Sequence, residues 1–236
     1  QASTAGETPK SKDTEPKIFM ISGLTQQAKK SVTQDIRRLG GTVMDKQSWD
    51  KRCTHLITDE VKRVEKTLAA CASGRWVVTV EYVKASLRAK RFVDEKQYEH
   101  GASGGRRDDE SHAHRGNELL PDTPHRCRIL RETVPALNGG LFSGMKALVA
   151  LADNRKTDIV VRVLDSGGAA QVATCSGAPA TDQLQSATAV FVDANQFEGV
   201  KKHASTTGAS VYTSDSLSGL LSCGHFDAED GLYKFE

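Results

Sequence analysis

The chain alternates short apolar runs with amphipathic stretches, and it does so twice. Ile18-Phe19-Met20-Ile21 leads into a segment of helical periodicity that ends at Gly40-Gly41, and Ala147-Leu148-Val149-Ala150-Leu151 leads into one that ends at Gly167-Gly168. Each reads as strand, helix and glycine stop. A second apolar run follows in each half, Thr54-His55-Leu56-Ile57 and Ala189-Val190-Phe191-Val192, as expected for parallel strands joined by helices. The closing segments share a register: Val78 to Phe92 and Tyr212 to Phe226 both span 14 positions. In each, a strand end with Thr leads into a capped helix, with Tyr82, Val83 and Leu87, or Leu217, Leu220 and Leu221, turned inward. The pattern predicts an α/β fold of two βαββαβα repeats packed in tandem, each a small four-stranded parallel sheet flanked by three helices.

Composition sets the boundaries. Residues 1–16, rich in Ser, Thr, Lys and Glu, read as a disordered tail, and residues 101–138 mix Gly, Pro, His and opposed charges, which marks a linker with one short helix from Arg126 to Thr133. The first repeat is therefore assigned to residues 17–100 and the second to 139–236. No apolar run approaches the roughly 18 residues of a membrane span, and Gln1 to Pro16 has no hydrophobic signal core, so membrane and secretory roles are not expected. Cys53, Cys71, Cys127, Cys175 and Cys223 form no C-x-x-C pair and read as reduced thiols of an intracellular protein. The net charge of +2 conceals an asymmetry. Residues 17–100 carry 17 basic and 10 acidic side chains, and residues 139–236 carry 7 and 11. An anionic partner is expected on the basic half, around Ser22 and Lys66.

Several chemistries find no support. There is no G-x-G-x-x-G after the first strand, no Walker lysine motif and no G-x-S-x-G elbow, so no catalytic residues, cofactor or small-molecule substrate are assigned. The seven histidines have no metal spacing, and His112 with His114 reads as a solvated pair, so no metal is expected. Trp76 opens onto the third helix of its repeat and is expected to pack in the core rather than to stack a base.

The first segment resembles the BRCT family over its full length. It carries Ser22-Gly23-Leu24 after the first strand, Leu39-Gly40-Gly41, Cys53-Thr54-His55-Leu56-Ile57, Glu65-Lys66-Thr67-Leu68-Ala69-Ala70, Gly74-Arg75-Trp76-Val77-Val78 and the closing Tyr98-Glu99. The second segment keeps the Gly pair and the last helix but has Gly208-Ala209-Ser210 where the family has Gly-Lys/Arg-Trp, and so resembles a degenerate partner. In pairs of this family that read phosphopeptides, a hydroxyl ending the first strand, the next amide and a lysine of the second helix hold the phosphate. The resemblance gives those roles to Ser22, Gly23 and Lys66, a supporting role to Lys29, and a grip on the peptide main chain to Arg63. Such a set suits a phosphorylated side chain, which brings about −1.5 to −2 charge and several acceptor oxygens. Val64 stands where some relatives have a Thr or Asn that assists the phosphate. In the second repeat Leu151 and Ala152 fall opposite Ser22 and Gly23, so one pocket is expected, and Lys201 and Lys202 are expected on a solvated face.

The resemblance thus implies a nuclear DNA-damage or replication-checkpoint scaffold that binds a phosphorylated Ser/Thr motif on a partner protein. Two alternative functions remain, a DNA-binding pair and a phosphate-independent protein-interaction pair; weak DNA contact through the basic first repeat can also accompany peptide binding.

Overall fold

The computed structural model describes residues 16–102, 119–229 and 231–234. The expected tail lies almost wholly outside them, as do His112 and His114. The first repeat runs β1 (Ile18–Ile21), α1 (Gln26–Arg38), β2 (Thr42–Val43), β3 (His55–Ile57), α2 (Glu65–Ala72), β4 (Trp76–Val78) and α3 (Val80–Ala89). Its strands form a parallel sheet in the order β2-β1-β3-β4. Alternation along β1 decides which helix covers which face. Phe19 and Ile21 join Val32, Ile36, Tyr82 and Val83 under α1 and α3, whereas Met20 points to the opposite side with Leu68 and the small residues of α2. At the end of α1, Gly40 takes φ +83°, while Gly41 is required by space: a Cβ there would stand 2.8 to 2.9 Å from Ile36, Phe19 and Phe92.

The linker helix α4 (Thr123–Thr133) starts three residues earlier than the sequence suggests. Pro124 signals a linker in the sequence, but it occupies the first turn of α4, where a missing N–H costs nothing. Nor is α4 a spacer. Cys127 and Arg128 are buried, the Arg128 guanidinium donates to both oxygens of buried Glu99 at 2.6 and 2.8 Å, and it lies 3.9 Å above the Trp76 ring. On its other side, the Thr123 hydroxyl lies 2.8 Å from that of Ser222, and Arg126 donates to Leu221 O at 2.8 Å and to the Tyr233 hydroxyl at 2.7 Å. Trp76 is only half-buried, so it serves as a platform for Arg128 as well as a core residue.

The second repeat contains β5 (Lys146–Ala150), α5 (Asn154–Ser166), β6 (Gln171–Thr174), α6 (Thr181–Ser186), β7 (Ala189–Val192), α7 (Phe197–Ala204), β8 (Ser210–Thr213) and α8 (Leu217–Cys223). Its sheet is also parallel, in the order β6-β5-β7-β8. The architecture is the α/β tandem expected, with two additions. The helix α6 gives this repeat four helices rather than three, and an antiparallel hairpin of β9 (His225–Asp227) and β10 (Leu232–Lys234) closes the described chain. Only Leu184 of α6 is buried, so the segment has no apolar periodicity to betray it.

The two repeats share one core. Every residue of α2 from Thr67 to Ala72 is buried, facing Val160, Val163 and Leu164 of α5 and Leu217, Leu220 and Leu221 of α8. Glu65 at the start of α2 receives both Nε and Nη2 of Arg162 on α5 at 3.0 Å. By contrast, α7 covers the outer face with Val200 against Leu148 and Val190.

A second polar cluster ties the loop after α3 to the sheet. The Glu95 carboxylate accepts from Lys17 Nζ at 2.6 Å, His55 Nε2 at 3.0 Å and the Tyr82 hydroxyl at 3.0 Å. Burial works against its charge, but the bonds from His55 and Lys17 hold its pKa down at about 2. A carboxyl depressed in the folded state stabilises at neutral pH and loses that contribution as pH falls through its folded value. Glu95→Gln is therefore expected to cost about 2 kcal/mol near neutrality. The deficit should close between pH 4.5 and about 2, as read from urea midpoints of both proteins across that range.

Candidate functional site

At the C-terminal edge of the first sheet, the Ser22 amide donates to Ile57 O at 2.9 Å and extends the β1–β3 ladder by one residue. This leaves the Ser22 side chain at the mouth of the sheet, where its hydroxyl bonds none of the described residues. Gly23 follows with φ +72°, and a Cβ there would stand 3.3 Å from Thr58 Oγ1, so the position requires glycine. Its N–H likewise has no acceptor among the described residues. Opposite, α2 begins after extended Val64 with no side-chain cap, so its first-turn N–H groups are open to a ligand.

These elements enclose a cavity of about 300 Å³ lined by Ile21, Ser22, Gly23, Leu24, Lys29, Gln47, Val64, Glu65 and Lys66. Ser22, Gly23, Lys29 and Lys66 are thus brought together; Arg63 is not among the lining residues. Among the described residues Lys66 has no ion pair, and its nearest acceptor is Ile21 O at 3.5 Å. Burial, and then the like charge of Lys29, push the Lys66 pKa below that of an ordinary lysine. Lys29 is held 2.6 Å from Asp45, whose carboxyl it keeps below the usual carboxylate range. Val64 contributes an exposed apolar side chain, which has no hydrogen bond to offer a ligand. The carboxylate of Glu65 also lines the cavity, but it is engaged by Arg162 and by the Trp49 amide at 2.8 Å. Hydroxyl, amide and ammonium are all available as donors, an arrangement that suits an oxyanion.

Arg63 stands just before α2 and reaches the second repeat, where its Nη2 donates to Asp215 at 2.6 Å. Asp215, Glu65 and Gln47 escape sequence reasoning. The Arg63–Asp215 pair joins positions 152 residues apart, so nothing local announces it. In the second repeat Leu151 follows β5 as Ser22 follows β1, and the Ala152 amide donates to Asp193 at 2.8 Å. Lys201 and Lys202 lie exposed on α7. If the like charge of Lys29 depresses Lys66, then Lys29→Met should raise the Lys66 pKa toward the ordinary lysine range, as followed by NMR of the labelled lysine side chains during titration.

Residues 1–100 match the family model described as the regulator of Ty1 transposition protein 107 BRCT domain. The chain is 30% identical over 154 residues to the SMC5-SMC6 complex localization factor protein 1 of Mus musculus, a match covering 64% of this chain and 14% of that protein. A BRCT domain-containing protein of Arabidopsis thaliana is 34% identical over 136 residues, covering 57% of this chain and 9% of its own. The chain therefore spans only a small part of the length of these relatives. From its motifs alone the sequence is expected to be most like the C-terminal BRCT pair of the topoisomerase II-binding checkpoint scaffold; neither of these relatives is that protein. Among solved structures, the BRCT5-BRCT6 domains of S. pombe Brc1 superpose with a TM-score of 0.52 at 15% identity, covering 84% of this chain and 98% of theirs. Residues 1–100 match a BRCT family model, and the two parallel sheets joined through α2, α5 and α8 give the described chain the tandem BRCT fold.

Proposed function

We propose that this chain binds a phosphoserine or phosphothreonine peptide, with the phosphate in the cavity of the first repeat and the following residues at the cleft between repeats. The observation that carries this is the convergence of the Ser22 hydroxyl, the Gly23 amide and the Lys66 ammonium on one cavity, none of them committed to a strong partner within the described residues. Lys29 adds positive charge at the rim, and the uncapped start of α2 adds a dipole of the right sign. Arg63, already turned toward the second repeat, is suited to hold the peptide main chain once it exchanges Asp215 for a carbonyl oxygen. No second phosphate site is proposed, because Leu151 stands where a hydroxyl would be needed in the second repeat.

The setting proposed is a nuclear DNA-damage or replication-checkpoint scaffold, of which this chain is the reader of a phosphorylated partner protein. The name of the mouse relative, a localization factor for the SMC5-SMC6 complex, supports a role in bringing assemblies to a site rather than in catalysis.

Each charge-assisted hydrogen bond contributes about 1.5 to 3 kcal/mol, so Lys66→Met should weaken phosphopeptide binding at least about tenfold. Ser22→Ala should weaken it in the same direction. A titration of both variants and the parent chain with a phosphopeptide library and its dephosphorylated twin checks this. Equal binding of the two libraries, or indifference to both substitutions, overturns the proposal.

A further inference from the structure

The basic residues of the first repeat do not gather at the cavity. Helices that connect parallel strands run back against them, so α1, α2 and α3 all end near the N-terminal end of the sheet, opposite Ser22 and Lys66. That end collects Arg37 in the last turn of α1, Arg75 just before β4, and Lys90 and Arg91 just past α3. Among the described residues none of these four has an ion pair. In contrast, Lys17, Lys51 and Arg52, at the same end, are neutralised by Glu95, Asp165 and Asp50.

The centre of this surface is built from two chain segments. Arg131 of α4 lies across Gly74, so closely that a Cβ there would come within 2.7 Å of its Cδ and 3.1 Å of its Nε. Gly74 has φ +56°, and its absent side chain makes room for the arginine stem. The Nε of Arg131 and the Nε of neighbouring Arg75 are both buried without an acceptor. The nearest acid on α4, Glu132, is occupied by Arg128 at 2.8 Å. Burial, and after it the charge of Arg75, push the Arg131 guanidinium below its ordinary pKa, as expected of two cations held together without a counter-ion. Folding alone does not relieve that repulsion, but an external oxyanion would.

We propose that this end of the first repeat, centred on Arg75 and Arg131, is a docking surface for the phosphate backbone of duplex nucleic acid, separate from the cavity at Ser22 and Lys66. Several unpaired cations spread across one end of the sheet match a repeating row of phosphates better than a single acidic side chain. About 12 Å of helix, the length of α2, separates the two sites, so a duplex and a phosphopeptide can be held together. The inference stands independently of the peptide-binding proposal.

Fluorescence anisotropy of a labelled duplex of about 20 base pairs, at about 50 to 200 mM salt, tests it on the full chain. Arg75→Gln with Arg131→Gln should lower affinity about tenfold or more at the lowest salt and reduce the salt slope by roughly 0.9 for each phosphate left without its cation. Lys90→Gln with Arg91→Gln, at exposed positions that leave the core untouched, should act in the same direction. Lys66→Met should leave duplex binding within about twofold of the parent. Absence of duplex binding at low salt, parental slopes in both double variants, or equally tight binding of an oligoglutamate of the same charge would each overturn the assignment, the last in favour of an acidic peptide.

Discussion

Everything of interest in this chain is arranged around the burial of one short helix. With eight residues, α2 is too short to persist alone in water. It is helical because six of its residues, from Thr67 to Ala72, are enclosed between its own sheet and the helices α4, α5 and α8. Four of those six are Ala or Cys, which lets neighbouring backbones approach closely. Glu65 then fixes the rotation and height of α2 by its two-pronged bond to Arg162. Since the helix cannot shift, neither can its ends: Lys66 faces Ser22 at one, and Gly74 receives Arg131 at the other.

Much of this is legible in the sequence, for reasons that can be named. The strands β1, β3, β5 and β7 are nearly continuous apolar runs because both faces of a parallel sheet are covered. Ser22 and Gly23 are visible because strand, turn and hydroxyl are consecutive, and Lys66 because its motif opens a helix. What stays hidden is non-local or weakly patterned. Asp215 meets Arg63 only through the packing of the repeats. The start of α4 is masked by Pro124, which serves as a helix starter and as a linker residue equally well. The helix α6 buries a single leucine.

Charge shows the same limit more sharply. Counting residues assigns the positive excess to the first repeat but does not say where on it the charges stand. Topology does, because chain reversal carries helix C-termini, which favour Lys and Arg, to the end of the sheet away from the cavity. The cavity itself keeps two lysines, one of them already engaged by Asp45. Its selectivity therefore depends on directed donors more than on bulk field.

The bond between Glu99 and Arg128 bears on what counts as the folding unit. Glu99 lies within the segment matched to the BRCT family model, yet its carboxylate is fully enclosed and its counter-charge comes from α4. An excised first repeat that stopped at His100 would lose the Arg128 guanidinium and turn the Glu99 carboxylate and the apolar wall around it toward water, giving up a buried charge-assisted pair. It would also strip the Trp76 ring of its guanidinium cover. Even a piece that ran through Thr133 would leave α2 without the cover of α5 and α8, so the folding unit takes in both repeats. The repeat boundary visible in sequence is thus not the boundary of a folding unit.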